Sequence, residues 1–265
     1  MRIILSELGE YVKKEIDNKV FEFLKENTFN NVDILLSNRE ILRLDFDSLY
    51  QKIKVRKRGG YCFELNELFY RLQIKDGQDI QRVLARVTYG ESSENKPRTH
   101  QMSIINIMGG LYLVDVGFGP YAPTCSIPLN GEVVEDFYQK KFIVRKGKND
   151  TFQLGVLKDE GFFSLYEFDL NQYRQPDFEL ANYYTNTHND SKFTNNLLMA
   201  QFSDKKISFF NNLVFSVIEN GEREDRNIDS AEDFFKVLSR SFTLKLSREE
   251  CLKLFRIVKN QNRHG

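Results

Sequence analysis

Apolar residues in the first third of the chain recur every three to four positions. In VKKEIDNKVFEFLKEN, Val12, Ile16, Val20, Phe23 and Leu24 line one helical face. A second, short helix is expected in DFDSLYQKIKV (45–55), with Asp45 or Asp47 placed to cap it. Gly59 and Gly60 end that helix, and a third is expected to start near Cys62, with Cys62, Leu65, Phe69 and Leu72 sharing a face. From about residue 80 to 186 the period turns from helical to alternating. Strands are expected in RVLARVTY, QMSIINIM, LYLVDVGF, KFIVRK, TFQLGVL and FFSLYEF, separated by turn residues at Gly109-Gly110, Gly119-Pro120, Asn130-Gly131, 147–150 and Gly161. That region reads as an all-β unit, a barrel. After residue 190 the pattern mixes: a helix in SKFTNNLLMAQF, a hairpin in KISFFNNLVFSVI turning at Asn211-Asn212, and helices at 230–241 and 247–260. Ser247 and Glu250 fit a Ser-x-x-Glu capping box at the start of the last helix.

The expected fold class is therefore α+β in three domains: a helical one (1–80), a β-barrel (81–188) and a mixed α/β unit (189–265). The length suits two or three packed units, and 23 Phe with no Trp make Phe the main core residue. Lys plus Arg and Asp plus Glu each total 38, so there is no excess positive charge for a nucleic acid or an anionic membrane surface. The only apolar run at the N-terminus is Ile3 to Leu5, and no segment reaches the roughly 20 apolar residues that span a bilayer. A cytoplasmic location is expected. Cys62, Cys125 and Cys251 are far apart and odd in number, and the chain has no CxxC, HxxxH or HExxH spacing, so neither a disulfide framework nor a metal site is expected.

A helix start at Cys62 puts its thiol where unsatisfied amide N–H groups concentrate positive potential, with Arg56, Lys57 and Arg58 just upstream. Such a placement favours a nucleophilic thiolate, whereas the alternative is a small apolar filler on the buried face. A nucleophile needs a base and a group to orient that base, which directs attention to His100 and Asp115. If Gly109-Gly110 is the hairpin loop, Met108 faces Leu111 and Asp115 lies opposite Ile104, on the same face as His100 but four residues, about 13 Å, along the strand. A bulge or bend is then needed to join them. Alternatively, His100 is a strand-end surface residue and Asp115 binds the amides of the turn in VDVGFG.

RGGYCFELN, from Arg58 to Asn66, resembles the active-site signature of the arylamine N-acetyltransferases, and RTH followed fifteen residues later by DVGFG resembles that family's pattern as well. The likeness extends over nearly the whole chain, through LARV (84–87) and PDF, ANYY and THNDSKF (176–193). The resemblance implies a helical first domain like that of papain-type cysteine enzymes and transglutaminases, a β-barrel and an α/β lid. It implies Cys62 as nucleophile, His100 as its base and Asp115 as the group orienting His100. Acetyl-coenzyme A would acetylate Cys62, and an arylamine, hydrazine or arylhydroxylamine would then take the acetyl group, with ping-pong kinetics. The Cys62 N–H is the candidate oxyanion donor. By the same resemblance Phe63 and Phe118 line an apolar acceptor slot, and coenzyme A meets Thr99 and the loop Gly117-Phe118-Gly119, its pyrophosphate held by loop amides and basic side chains.

Other chemistry on the same triad is a peptide hydrolase, a cross-linking enzyme or an amide synthase, and a fourth reading is a non-catalytic ligand binder. The chain departs from the family where PFEN is usual: it has Thr28-Phe29-Asn30-Asn31, so the Glu that commonly pairs with the Arg of RGG is Asn30. Arg58 is expected to brace the loop before Cys62, either paired with Asp33 or held by neutral partners only. Pro120 stiffens a loop that in the family helps select the acceptor. His188 is read as structural, His264 as a solvated tail residue, and Cys125 and Cys251 as passive.

Overall fold

The computed structural model describes residues 2–37 and 40–261. In chain order it contains α1 (Arg2–Glu26), β1 (Phe29–Asn30), α2 (Val32–Leu36), α3 (Phe46–Tyr50) running into a π-helical turn (Gln51–Val55), and α4 (Cys62–Lys75). Then come β2 (Ile80–Val87), β3 (His100–Ile107), β4 (Gly110–Val114), a 3-10 turn (Gly119–Tyr121), β5 (Ile127–Pro128), β6 (Val134–Glu135), β7 (Lys141–Lys146), β8 (Phe152–Lys158) and β9 (Gly161–Phe168). The chain continues with α5 (Gln175–Thr187), α6 (Lys192–Asn195), β10 (Leu198–Phe202), β11 (Lys206–Asn211), β12 (Val214–Glu219), β13 (Glu222–Asn227), α7 (Ala231–Ser241) and α8 (Arg248–Gln261). The class is α+β, as expected. Contacts group the chain into two compact units, one of residues 1–23, 66–116 and 122–178, the other of 24–65, 117–121 and 179–265.

The first unit holds an eight-stranded antiparallel sheet in the order β5-β4-β3-β2-β9-β8-β7-β6. Strand β5 approaches β7, so the sheet curls into a nearly closed barrel, the all-β unit that the alternating pattern predicts. The β3–β4 hairpin differs from expectation by one residue. Its loop is Met108-Gly109, both at positive φ (52° and 90°), and Gly110 pairs with Ile107 instead of turning. Two consecutive positive-φ residues give the twist that a two-residue hairpin loop requires. The Asn106 side chain fixes the turn by accepting the Gly109 N–H at 2.9 Å. Moving the loop by one residue moves the register by two, so the side-chain faces are unchanged. The ladder now ends at Ser103 opposite Val114, which brings Asp115 level with Met102, two residues from His100 rather than four.

The second unit is built on an antiparallel sheet in the order β1-β10-β11-β12-β13. Its core joins Val32 and Leu35 of α2, Leu197, Met199 and Phe210 from the sheet region, and Phe234, Leu238, Leu254, Phe255 and Val258 of α7 and α8, all buried. Ser230 caps α7 through the Asp233 N–H (3.2 Å). At α8 the capping box forms as read from sequence: Glu250 accepts the Ser247 N–H at 2.8 Å and Ser247 Oγ accepts the Glu250 N–H at 3.1 Å. Asp45, rather than Asp47, caps α3 through the Ser48 N–H (3.0 Å).

Four local expectations are corrected. SKFTNNLLMAQF is not one helix: α6 stops at Asn195 and 198–202 form β10. Asn195 and Asn196 turn their amides back to the Ser191 and Lys192 carbonyls, and β10 finds its backbone partners in β1 and β11. The next hairpin turns at Asn212-Leu213, not Asn211-Asn212, since Asn211 pairs with Val214. The alternating region ends at Phe168, and α5 follows where no helix was assigned. Residues 61–69 are buried throughout, so α4 begins inside protein on all sides rather than showing a single apolar face. His264 lies outside the described residues.

Candidate active site

Within the second unit, the sequence Arg58-Gly59-Gly60-Tyr61 is pinned as it enters α4. Gly60 exchanges hydrogen bonds with β1: its N–H reaches the Thr28 carbonyl (3.2 Å), and its carbonyl accepts the Asn30 N–H (2.8 Å). Gly59 sits at φ +63°, and a Cβ there would fall 2.1 Å from the Thr28 oxygen. A Cβ on Gly60 would fall 2.9 Å from the Glu64 Cβ. Gly59 is therefore demanded by close backbone approach and Gly60 by the packing of the Glu64 side chain. Cys62 is the first helical residue and is buried, 2% exposed. Glu64, 1% exposed, turns back to accept the Tyr61 N–H at 3.3 Å, covering one of the amides that open the helix. The Tyr61 hydroxyl donates to Asn182 of α5, and burial pushes its pKa well above the usual phenol value.

Charges of alternating sign continue from Glu64. Lys52 bridges Glu64 (2.7 Å) and Asp33 (2.8 Å). Asp33 takes Nε and Nη2 of Arg58 at 2.9 and 2.8 Å, and Arg58 Nη1 reaches Glu250 at 2.8 Å. Burial pushes Lys52 toward losing its proton, but Glu64 and Asp33 more than offset this and its pKa rises. Burial likewise works against the Asp33 carboxylate, and Lys52 with Arg58 outweighs it, holding Asp33 below the usual range. For Glu64 burial prevails and its pKa is raised. Asn30 serves Arg58 only through neutral bonds, donating to its carbonyl at 3.1 Å. Of the two arrangements expected for Arg58, pairing with Asp33 or neutral partners only, the structure has the pairing with Asp33, and Glu250 in addition.

Within the first unit, His100 opens β3 and is buried beside Asp115, which is 0% exposed. His100 Nε2 meets Asp115 Oδ2 at 2.6 Å, without any bulge in β3. The same oxygen accepts the Tyr166 hydroxyl at 2.9 Å, while Oδ1 accepts Asn66 Nδ2 at 2.9 Å. Asn66 also donates to the Gln101 carbonyl (2.7 Å) and accepts the Val116 N–H (3.0 Å), tying α4 to the strands on either side of the carboxylate. With Nε2–H given to Asp115, the lone pair of the neutral ring lies on Nδ1. Asn66 closes the RGGYCFELN stretch, whose sequence alone points to no role for it. Tyr166 carried no signal beyond its place in an alternating strand.

Phe63 is fully buried, its ring 5.7 Å from that of Tyr61, and Phe118 is half-buried. Thr99 precedes β3 and donates its N–H to the Ala85 carbonyl at 3.1 Å. Gly119 has φ +61° and packs where a Cβ would sit 3.4 Å from the Phe29 ring. His188 stacks on Tyr184 at 4.3 Å at the end of α5. Cys125 and Cys251 are displaced by burial to pKa values of about 12 and about 11. Among the described residues, no group of three or more His, Cys, Asp or Glu is arranged to hold a metal ion, and no helix is long and apolar enough to cross a membrane.

A sequence profile described as N-acetyltransferase matches residues 15–251. The arylamine N-acetyltransferase of Escherichia coli K12 is 31% identical over 82% of this chain and 76% of its own length. Among solved structures, the arylamine N-acetyltransferase of Salmonella typhimurium superposes with a TM-score of 0.85 at 26% identity, covering 92% of this chain and 91% of the other. The Mycobacterium marinum arylamine N-acetyltransferase in complex with CoA has the same fold, with a TM-score of 0.85 at 23% identity over 92% of this chain and 93% of that one.

Proposed function

This chain belongs to the arylamine N-acetyltransferase family, and on that premise we propose that it carries an acetyl group on Cys62 from acetyl-coenzyme A to an aromatic amine, hydrazine or arylhydroxylamine. The Cys62 thiolate attacks the thioester carbonyl, the bond to coenzyme A breaks, and the departing sulfur takes a proton from the His100 imidazolium. The acceptor nitrogen then attacks the acetyl-cysteine carbonyl, His100 takes the proton from nitrogen, and the amide leaves as Cys62 is released. Asp115 fixes the His100 tautomer and steadies its positive charge. The observation that carries this reading is the 2.6 Å bond between His100 and Asp115, in a carboxylate cluster that Asn66 completes four residues after Cys62 on the same helix. The Cys62 N–H is assigned to the oxyanion, Phe63 and Phe118 to the acceptor, and Thr99, Gly117 and Gly119 to coenzyme A. Arg58 is assigned to bracing the loop. The same reading places the reaction in the cytoplasm.

Incubation with acetyl-coenzyme A followed by intact-mass measurement tests it. The expected result is a gain of one acetyl group, absent in Cys62→Ala and discharged on adding an arylamine or hydrazine. No gain, or a gain that survives the alanine substitution, overturns the reading. Peptide turnover in its place points to a hydrolase.

A further inference from the structure

Arg58 carries a full charge at a point where its main-chain neighbour Asn30 is neutral, and that charge is met from two directions. Asp33 of α2 takes two of its nitrogens, and Glu250 of α8 takes the third. Glu250 is already occupied as a helix cap, but the cap uses one oxygen only: Oε2 accepts the Ser247 N–H, while Oε1 meets Arg58. The residues leading into α8 follow the same course. Thr243 Oγ1 lies 3.0 Å from Thr28 Oγ1, the Leu244 N–H donates to Thr28 Oγ1 at 3.1 Å, and the Lys245 N–H donates to the Lys57 carbonyl at 3.1 Å. Thr28 is also the residue whose carbonyl holds the Gly60 N–H. Residues 243–245 and Glu250 thus brace both Thr28, which leads into β1, and the loop that delivers Cys62 to the start of α4.

We infer that Glu250 is a positioning residue for Cys62, acting through Arg58, and that with Thr243, Leu244 and Lys245 it forms the outer half of the brace whose inner half is Asp33. The inference rests on the reading of Cys62 as the acetyl carrier. A carboxylate that serves two partners has two separable jobs. Glu250→Gln retains an oxygen for the Ser247 amide but loses the charge facing Arg58, whereas Ser247→Ala weakens the cap and leaves that charge in place.

Single-turnover acetylation of Cys62, followed by intact mass across a range of acetyl-coenzyme A concentrations, separates these jobs. In Glu250→Gln the limiting rate is expected to fall about three- to tenfold with an unchanged half-saturating concentration and a thermal midpoint close to that of the unmodified protein. Ser247→Ala is expected to lower the midpoint by about 2–4 °C and leave the rate within about twofold. If both variants lose midpoint and retain the rate, Glu250 is a cap only and the inference falls. Iodoacetamide alkylation of Cys62 in the same variants does not depend on acetyl transfer. A protein that takes no acetyl group overturns the proposed function, while equal alkylation rates with and without the Glu250 charge overturn this inference alone.

Discussion

Asp115 and Glu64 are both carboxylates with no more than 1% of their surface exposed, yet their surroundings differ in kind. Glu64 meets an ammonium, Lys52, at the end of a chain in which three carboxylates alternate with two cations. Asp115 is met by an amide, a phenol and an imidazole. Of these three only the imidazole can gain a charge, so the carboxylate gains most when His100 is protonated. In the Glu64 cluster each carboxylate already faces a standing cation, so it has nothing comparable to respond to. One arrangement suits a group that must stabilise a transient cation, the other a loop that must not move.

Opposite responses to substitution follow from this contrast. Asp115→Asn is expected to lower the acetyl-transfer rate about 10²- to 10⁴-fold, read from steady-state kinetics, with a stability change of only about 1–2 kcal/mol in urea titration. Lys52→Met reverses the pattern: the buried Glu64 and the half-buried Asp33 lose their shared cation, stability falls by about 3–5 kcal/mol, and the rate per folded molecule changes less than about tenfold. If Lys52→Met abolishes turnover in a fully folded protein, the division of labour between the clusters is wrong. A smaller effect comes from acid. Asp33 has a folded pKa below its usual 3.8, so its ion pairs stabilise the protein above that value and the contribution is lost as pH falls through and below it. Urea midpoints measured from pH 5 down to pH 3 should decline, and Asp33→Asn should flatten that decline.

What could be read from sequence divides along the same line. The capping box at Ser247 and Glu250, the short helix at 45–55 and the helix start at Cys62 depend on residues within a few positions of one another, and these were legible. Asp115 was legible in parity but not in distance, because nothing short of the backbone angles tells whether a Met-Gly-Gly stretch turns at its first or second pair. Helix α5 shows a further limit. Its buried positions Phe178, Ala181, Asn182, Thr185 and Asn186 keep helical spacing, but three of the five are polar, so an apolar pattern misses them. Their polarity has a use: Asn182 and Asn186 hold the Leu42 and Glu40 carbonyls at 2.9 and 2.8 Å. Strand β13, exposed along its whole length and charged, pairs among the described residues with β12 alone and likewise carries no apolar signal. Lys52, Glu64 and Tyr166 went unassigned because their partners come from distant segments, whereas Asp33 entered only because the usual Glu was missing at Asn30.

The two remaining cysteines carry a practical consequence. With thiols displaced by burial to about 12 and about 11, Cys125 and Cys251 have at pH 7 thiolate fractions of only about one in 100,000 and one in 10,000. On the proposed reading of Cys62 as the acetyl carrier, short exposure to an electrophile at neutral pH reports on Cys62 against a weak background. The natural sequence thus supplies its own labelling control, and acyl donors and covalent inhibitors can be ranked by mass on the unmodified protein, with no cysteine removed.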